Sequence, residues 1–144
     1  MDTKPLDVIA ILKLYEMRSD ALMREARAWF FTEFAPESGK DIVRLMLSGE
    51  KQSAFYRMVV SHWDVASSFV NNGGIDEKLF LDGNTEHIVV FAKLQPFIAE
   101  IREVMGEPDY LLNLERLVMR VPDIEKKLEN RRRLLERWKS KDKG

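Results

Sequence analysis

The sequence predicts an all-helical, single-domain bundle spanning residues 1–144, with a long N-terminal helix, a helix kinked at Pro96 and a long or kinked C-terminal helix. Two observations carry that prediction. Apolar residues recur at helical spacing along almost the whole chain, whereas the two-residue alternation of a half-buried strand is nearly absent. The periodic stretches are closed by Gly, Pro and Asn at places that suit helix ends.

The first helix is expected to begin near Pro5, after Thr3, and to run to about Phe34, before Pro36. Val8, Leu12, Tyr15, Leu22, Ala26 and Trp29 form its apolar stripe. At about 1.5 Å per residue such a helix is roughly 45 Å long, more than a compact domain of this size needs. Ser38 caps a short helix from about Lys40 to Ser48, closed by Gly49. A third helix from Lys51 to Asn72 stops at Asn72-Gly73-Gly74 and carries two apolar faces, which marks it as central. One helical turn is expected over Ile75 to Leu81, started at Asp76 and ended by Gly83.

Asn84 or Thr85 then caps a helix running to Met105, with Gly106 as its terminator. Pro96 falls inside that helix and predicts a kink between Ala92 and Gln95, because proline has no N–H to give one turn back. Beyond Pro108, the positions Tyr110, Leu114, Leu117, Val121, Ile124, Leu128, Arg131, Leu135 and Trp138 keep a 4,3 spacing. Pro122 makes that segment either one kinked helix or two helices joined at Val121.

Composition narrows the function classes. The chain is 45% hydrophobic and 33% charged, which fits a globular protein and neither a disordered chain nor a membrane one. It has no cysteine, so disulfides, thiolate metal sites and cysteine nucleophiles are excluded. The apolar run Val8 to Leu12 is too short for a signal-peptide core, and a cytoplasmic location is expected. The net charge of -1 is unevenly spread. Residues 125–144, the basic C-terminal helix and tail, hold nine Lys or Arg against four Asp or Glu, so the rest of the chain carries the acidic excess.

No phosphate loop, His-Glu-x-x-His pair, calcium loop or serine elbow is present, and no catalytic residue, metal site or cofactor is expected. His62 and His87 form a candidate polar site if they meet inside the bundle with a carboxylate such as Glu25 or Glu33. The plainer reading, two half-buried core histidines, is favoured. His62 and Asp64 are two apart on one helix and point away from each other, which argues against their sharing an ion.

The candidate interaction surface is Arg131, Arg132, Arg133, Leu135 and Trp138 on the last helix. Nucleic-acid binding is the second reading of these residues, set below a protein contact because acidic residues interleave with the basic ones. Arg131 interrupts the apolar seam, and either its head reaches solvent or it pairs with an acid across an oligomer. A third reading, association with a membrane surface through Val8 to Tyr15, rests on the apolar N-terminal turns. A homo-oligomer or another protein partner, engaged through the overlong first helix and the C-terminal seam, is the leading expectation.

Three segments, EARAWFFTEF (Glu25 to Phe34), HWDVASSFVNNGGIDEKLF (His62 to Phe80) and KLQPFIAEIRE (Lys93 to Glu103), resemble a bacterial family, the domain of unknown function DUF4760. The resemblance implies a helical fold and carries no activity with it. Relatives often begin with a membrane-spanning segment, whereas Lys13, Glu16, Arg18 and Asp20 keep the corresponding helix here from spanning.

Overall fold

A computed structural model describes the backbone of residues 4–142 and the side chains of 4–139. It holds eight helices and no strand among the described residues: α1 Lys4–Ser19, α2 Ala21–Thr32, α3 Gly39–Leu47, α4 Lys51–Asn71, α5 Glu77–Gly83, α6 Glu86–Met105, α7 Leu112–Met119 and α8 Ile124–Asp142. Thr3 and residues 143–144 lie outside the described residues.

The expected long first helix is two helices. Asp20 breaks it, its carboxylate accepting the N–H groups of Leu22 at 3.1 Å and Met23 at 3.4 Å and so capping a new helix. A short polar side chain offers the backbone this alternative to helix continuation, which periodicity does not register. The expected apolar stripe fails on α1 for the same reason, since the break resets its phase. Val8, Leu12 and Tyr15 face outward, while Asp7 and Leu14 are buried and Ala10 and Ile11 lean on the core. Asp7 is held inside because its carboxylate accepts the N–H of Asp76 at 3.0 Å, tying α1 to the start of α5.

The caps of α3 and α5 follow the sequence closely, whereas at α6 Thr85 holds the N-cap position without a side-chain bond and Asn84 is turned to Phe80 and Arg18 instead. Ser38 accepts from the N–H of Asp41 at 3.1 Å and Asp76 from that of Leu79 at 2.9 Å. Helix α4 ends in a Schellman turn, with Gly73 at φ 78° and the N–H groups of Gly73 and Gly74 returning to the carbonyls of Val70 and Phe69. Gly39 is required for a different reason: a Cβ there would come within 2.7 Å of Glu100 Cβ, and Glu100 accepts the N–H of Lys40 at 2.8 Å. This close approach seats α3 on α6.

Helix α4 is the centre, packed by α2, α3, α5 and α7, and Phe55, Tyr56, Val59, Val60, Trp63, Ala66 and Val70 are all buried. The 4,3 segment is two helices, α7 and α8, separated at Arg120 to Asp123, where Pro122 stands and Asp123 takes φ 56°. Its seam is spent within the chain. Leu114, Leu117, Ile124, Leu128 and Leu135 are buried, and α8 lies back across α2 and α6. The C-terminal heptad therefore offers no free apolar face to a second chain.

Helix α6 runs through Pro96 without ending. Pro96 has no N–H for the carbonyl of Ala92, and α8 provides a substitute: Arg132 Nε donates to that oxygen at 3.0 Å, and its Nη2 donates to the side-chain oxygen of Gln95. A gap in the hydrogen-bond ladder of one helix is thus filled by an arginine from another.

Candidate functional site

Glu86, the first residue of α6, is the hub of a mostly buried polar cluster. Arg27 of α2 grips it with both arms of the guanidinium, at 3.0 and 3.1 Å from Nε and 2.5 Å from Nη2. Trp63 of α4 donates its indole N–H to the same carboxylate at 2.9 Å. A bidentate arginine and a buried indole together satisfy this acid, and no further cation is needed to neutralise it. Arg18 of α1 lies over the Trp63 ring, 5.1 Å from its centroid, and donates to the Asn84 side chain at 3.3 Å. Its Nε is buried without a hydrogen-bond partner.

Both histidines adjoin the same indole. The His62 ring meets Trp63 edge-on at 4.7 Å, and His87 lies 5.8 Å from Trp63 and 5.3 Å from Phe80. His87 is fully buried, and neither of its ring nitrogens has a hydrogen-bond partner. Burial lowers its pKa to about 4, with the charge of Arg131 pushing the same way. Burial also lowers the pKa of His62 to about 4, helped by Arg18 and Arg27 and opposed by Glu86. Both rings are therefore neutral at pH 7.

The carboxylates expected near the histidines are engaged elsewhere or absent from the cluster. Glu25 is on the surface, paired with Lys51 at 2.9 Å. Asp64 turns away from His62 and accepts the N–H of Leu114 at 3.0 Å, capping α7 from outside. Glu86 and His87 diverge as neighbours on a helix do, one toward Arg27 and the other into the core. Among the described residues no group of three or more His, Asp or Glu side chains could hold one metal ion.

The five residues of the expected interaction surface separate into different surroundings. Leu135 is buried, Trp138 packs edge-on against Phe31 at 5.7 Å with its remaining edge on a groove, and Arg132 is turned inward to α6, so all three are engaged within the chain. Arg133 pairs with Glu129 at 2.7 Å on the exposed side. Arg131 points into a groove of about 520 Å³ between α1, α2, the α5–α6 turn and α8, shared with Arg18, Arg27 and Glu86. Successive residues on a helix are about 100° apart, which is why three adjacent arginines reach three environments.

A second, apolar groove of about 700 Å³ opens between the α1–α2 elbow and α4, lined chiefly by Leu14, Met17, Met23, Met58, Val65 and Phe69. Helix α1 is a wall of both grooves. It also exposes a run of large apolar side chains: Leu6 is 67% exposed, Ile9 62%, Leu12 61% and Tyr15 63%. Leu6, Ile9 and Met17 lie on the flank that reaches the apolar groove, and Val8, Leu12 and Tyr15 on the other.

The domain of unknown function DUF4760 matches residues 5–121, from the first turn of α1 to the end of α7. The chain belongs to this DUF4760 family. No curated protein and no solved structure matches it significantly. The family region supplies Arg18, Arg27, Trp63, Glu86 and both histidines, while Arg131 comes from α8, beyond the match. No helix among the described residues of this DUF4760 domain is long and apolar enough to cross a membrane.

Sequence reasoning missed Arg27, Trp63 and Glu86 as a unit. Glu86 reads there as an ordinary acid in a first turn, and Arg27 sits one residue from an apolar stripe. Their only signal was a charge flanking an apolar face on each of two helices, which occurs on most helices.

Proposed function

We propose that this domain works through protein contacts rather than by catalysis, and that it pairs with a second copy of itself through the outer face of α1. The observation that carries this reading is the exposure of Leu6, Ile9, Leu12 and Tyr15 on one helix beside an apolar, methionine-lined groove. Scattered exposed hydrophobes need no explanation, but four large ones at three-residue spacing along one exposed helix mark an interaction surface, with the Lys13–Glu16 ion pair beside them. Methionines in the groove suit such a role because their side chains adapt to a partner. The C-terminal seam no longer supports pairing, since its leucines are consumed inside the chain. The contact moves to the N-terminal end.

Size-exclusion chromatography with light scattering tests this at high micromolar concentration. A mass near twice the 16.8 kDa of one chain is expected, and Ile9→Glu combined with Leu12→Glu should return it to one. Both side chains are exposed, so the fold survives the change. A wild-type monomer throughout that range refutes self-association. Flotation with vesicles distinguishes a lipid surface as the partner of the same face.

A further inference from the structure

The groove between α1, α2 and α8 holds more positive charge than its one acid can balance. Arg18, Arg27 and Arg131 line it against Glu86, three guanidiniums to one carboxylate. Arg27 alone uses both oxygens of Glu86, with Trp63 on one of them. Arg18 therefore has no carboxylate bond: it donates to an amide oxygen at 3.3 Å, rests on the Tyr15 and Trp63 rings, and keeps its Nε buried without a hydrogen-bond partner. Arg131 has no ion pair among the described residues. Burial is costly to a cation, and it draws the Arg18 pKa below the ordinary guanidinium value even though the charge of Glu86 opposes the shift.

We infer that this groove binds a small organic acid, a phosphate or carboxylate head carried on a flat apolar body. The head is addressed by Arg18 and Arg131, whose planar N–H forks match an oxyanion. The body is addressed by the remaining lining, since Tyr15, Phe31, Val89, Leu134 and Trp138 supply aromatic and aliphatic walls to the same groove. A volume of about 520 Å³ falls within the usual range for small-molecule sites. A neighbouring basic hollow along α8, lined by Lys127, Arg131 and Arg137 together with the Glu129-paired Arg133, extends the positive field from the mouth of the groove. It raises the local concentration of anions there. This site shares Tyr15 with the outer face of α1, but its arginines and its remaining walls lie off that face, and Ile9 and Leu12 do not line it.

The test is titration of the full chain with phenyl phosphate, followed by tryptophan fluorescence, with inorganic phosphate and phosphatidic acid vesicles in parallel. Saturable binding of phenyl phosphate is expected, several-fold tighter than inorganic phosphate because only the former fills the apolar wall. Arg131→Gln should weaken it about tenfold or more. Arg18→Lys, which keeps the charge and removes the fork, should weaken it as well. Circular dichroism melts establish that both variants fold, and Arg131 is partly exposed and makes no bond that folding needs. Absence of saturation up to about 10 mM phenyl phosphate overturns the inference. So does affinity unchanged in both variants, or binding confined to the vesicles. Inorganic phosphate binding as tightly as phenyl phosphate overturns the apolar half of it.

Discussion

Arg132 Nε donates at 3.0 Å to the carbonyl oxygen of Ala92, the oxygen that Pro96 leaves without its helical partner. Helix α8 is thereby fastened to the weak point of α6 by a charge-assisted bond, and the fold of one element depends on a side chain 40 residues away.

Replacing Arg132 with Met should therefore cost about 1–3 kcal/mol in urea unfolding, the cost of a partly buried acceptor losing a charged donor. In a Pro96→Ala background residue 96 can again donate to Ala92, and the same replacement should cost less, with a coupling of about 0.5–3 kcal/mol. Equal costs in the two backgrounds would show that the bond to Ala92 contributes nothing.

Glu86→Gln removes the anion between Arg27 and Trp63 and turns an amide N–H₂ toward groups that only donate. Loss of about 2 kcal/mol is expected, below the ~3–5 kcal/mol of a fully buried pair because the Arg27 side chain keeps 27% of its exposure. Thermal melts at pH 7 read this directly. A change under about 0.5 kcal/mol, the scale of a surface pair, would mean that the cluster is solvated.

Stability should fall as pH drops from about 6.5 toward 4. Burial first, and nearby arginines second, lower the folded-state pKa of His62 and of His87 to about 4, while an unfolded histidine titrates near 6.5. Between those values the unfolded chain binds more protons, so stability rises with pH and is fully present only above about 6.5. Each ring accounts for an effect on the order of 3 kcal/mol across that window. The acids of the chain titrate partly in the same range, so His87→Leu is the discriminating variant. It should flatten the pH profile measured by urea unfolding. At pH 7 it should cost little or even stabilise, because neither His87 nitrogen has a bond to lose. An unchanged slope would contradict the assignment.

Asp64→Ala removes an N-cap supplied from another helix, and about 1 kcal/mol of stability should go with it. The loss should be local. Hydrogen exchange should quicken at the first-turn amides of α7, Leu114 among them, and stay unchanged in the centre of α4. Uniform quickening would instead point to global destabilisation.

The elements were legible wherever their causes lie within a few residues of chain. Ser38, Asp76, Asn72-Gly73-Gly74 and Gly106 end helices through their own backbone and side-chain chemistry, so the spans of α3 to α6 follow from sequence. The failure at Asp20 has the same local origin, since Asp stabilises a cap and is tolerated mid-helix, and the two outcomes differ by little free energy. The site was less legible. His62 and His87 do adjoin one indole, but the acid that organises the cluster is Glu86, and the arginine that grips it is 59 residues away.

The sequence by itself determined the all-helical class, most helix ends and the family, because caps, glycine stops and 3.6-residue periodicity act over one or two turns. Only the tertiary structure decided which apolar faces are covered. The strongest pattern in the chain, the C-terminal 4,3 seam, is consumed by α2 and α6, whereas the weaker α1 is left exposed. Periodicity reports that a face is apolar and not what lies against it, since burial is settled by the free energy of packing all eight helices together.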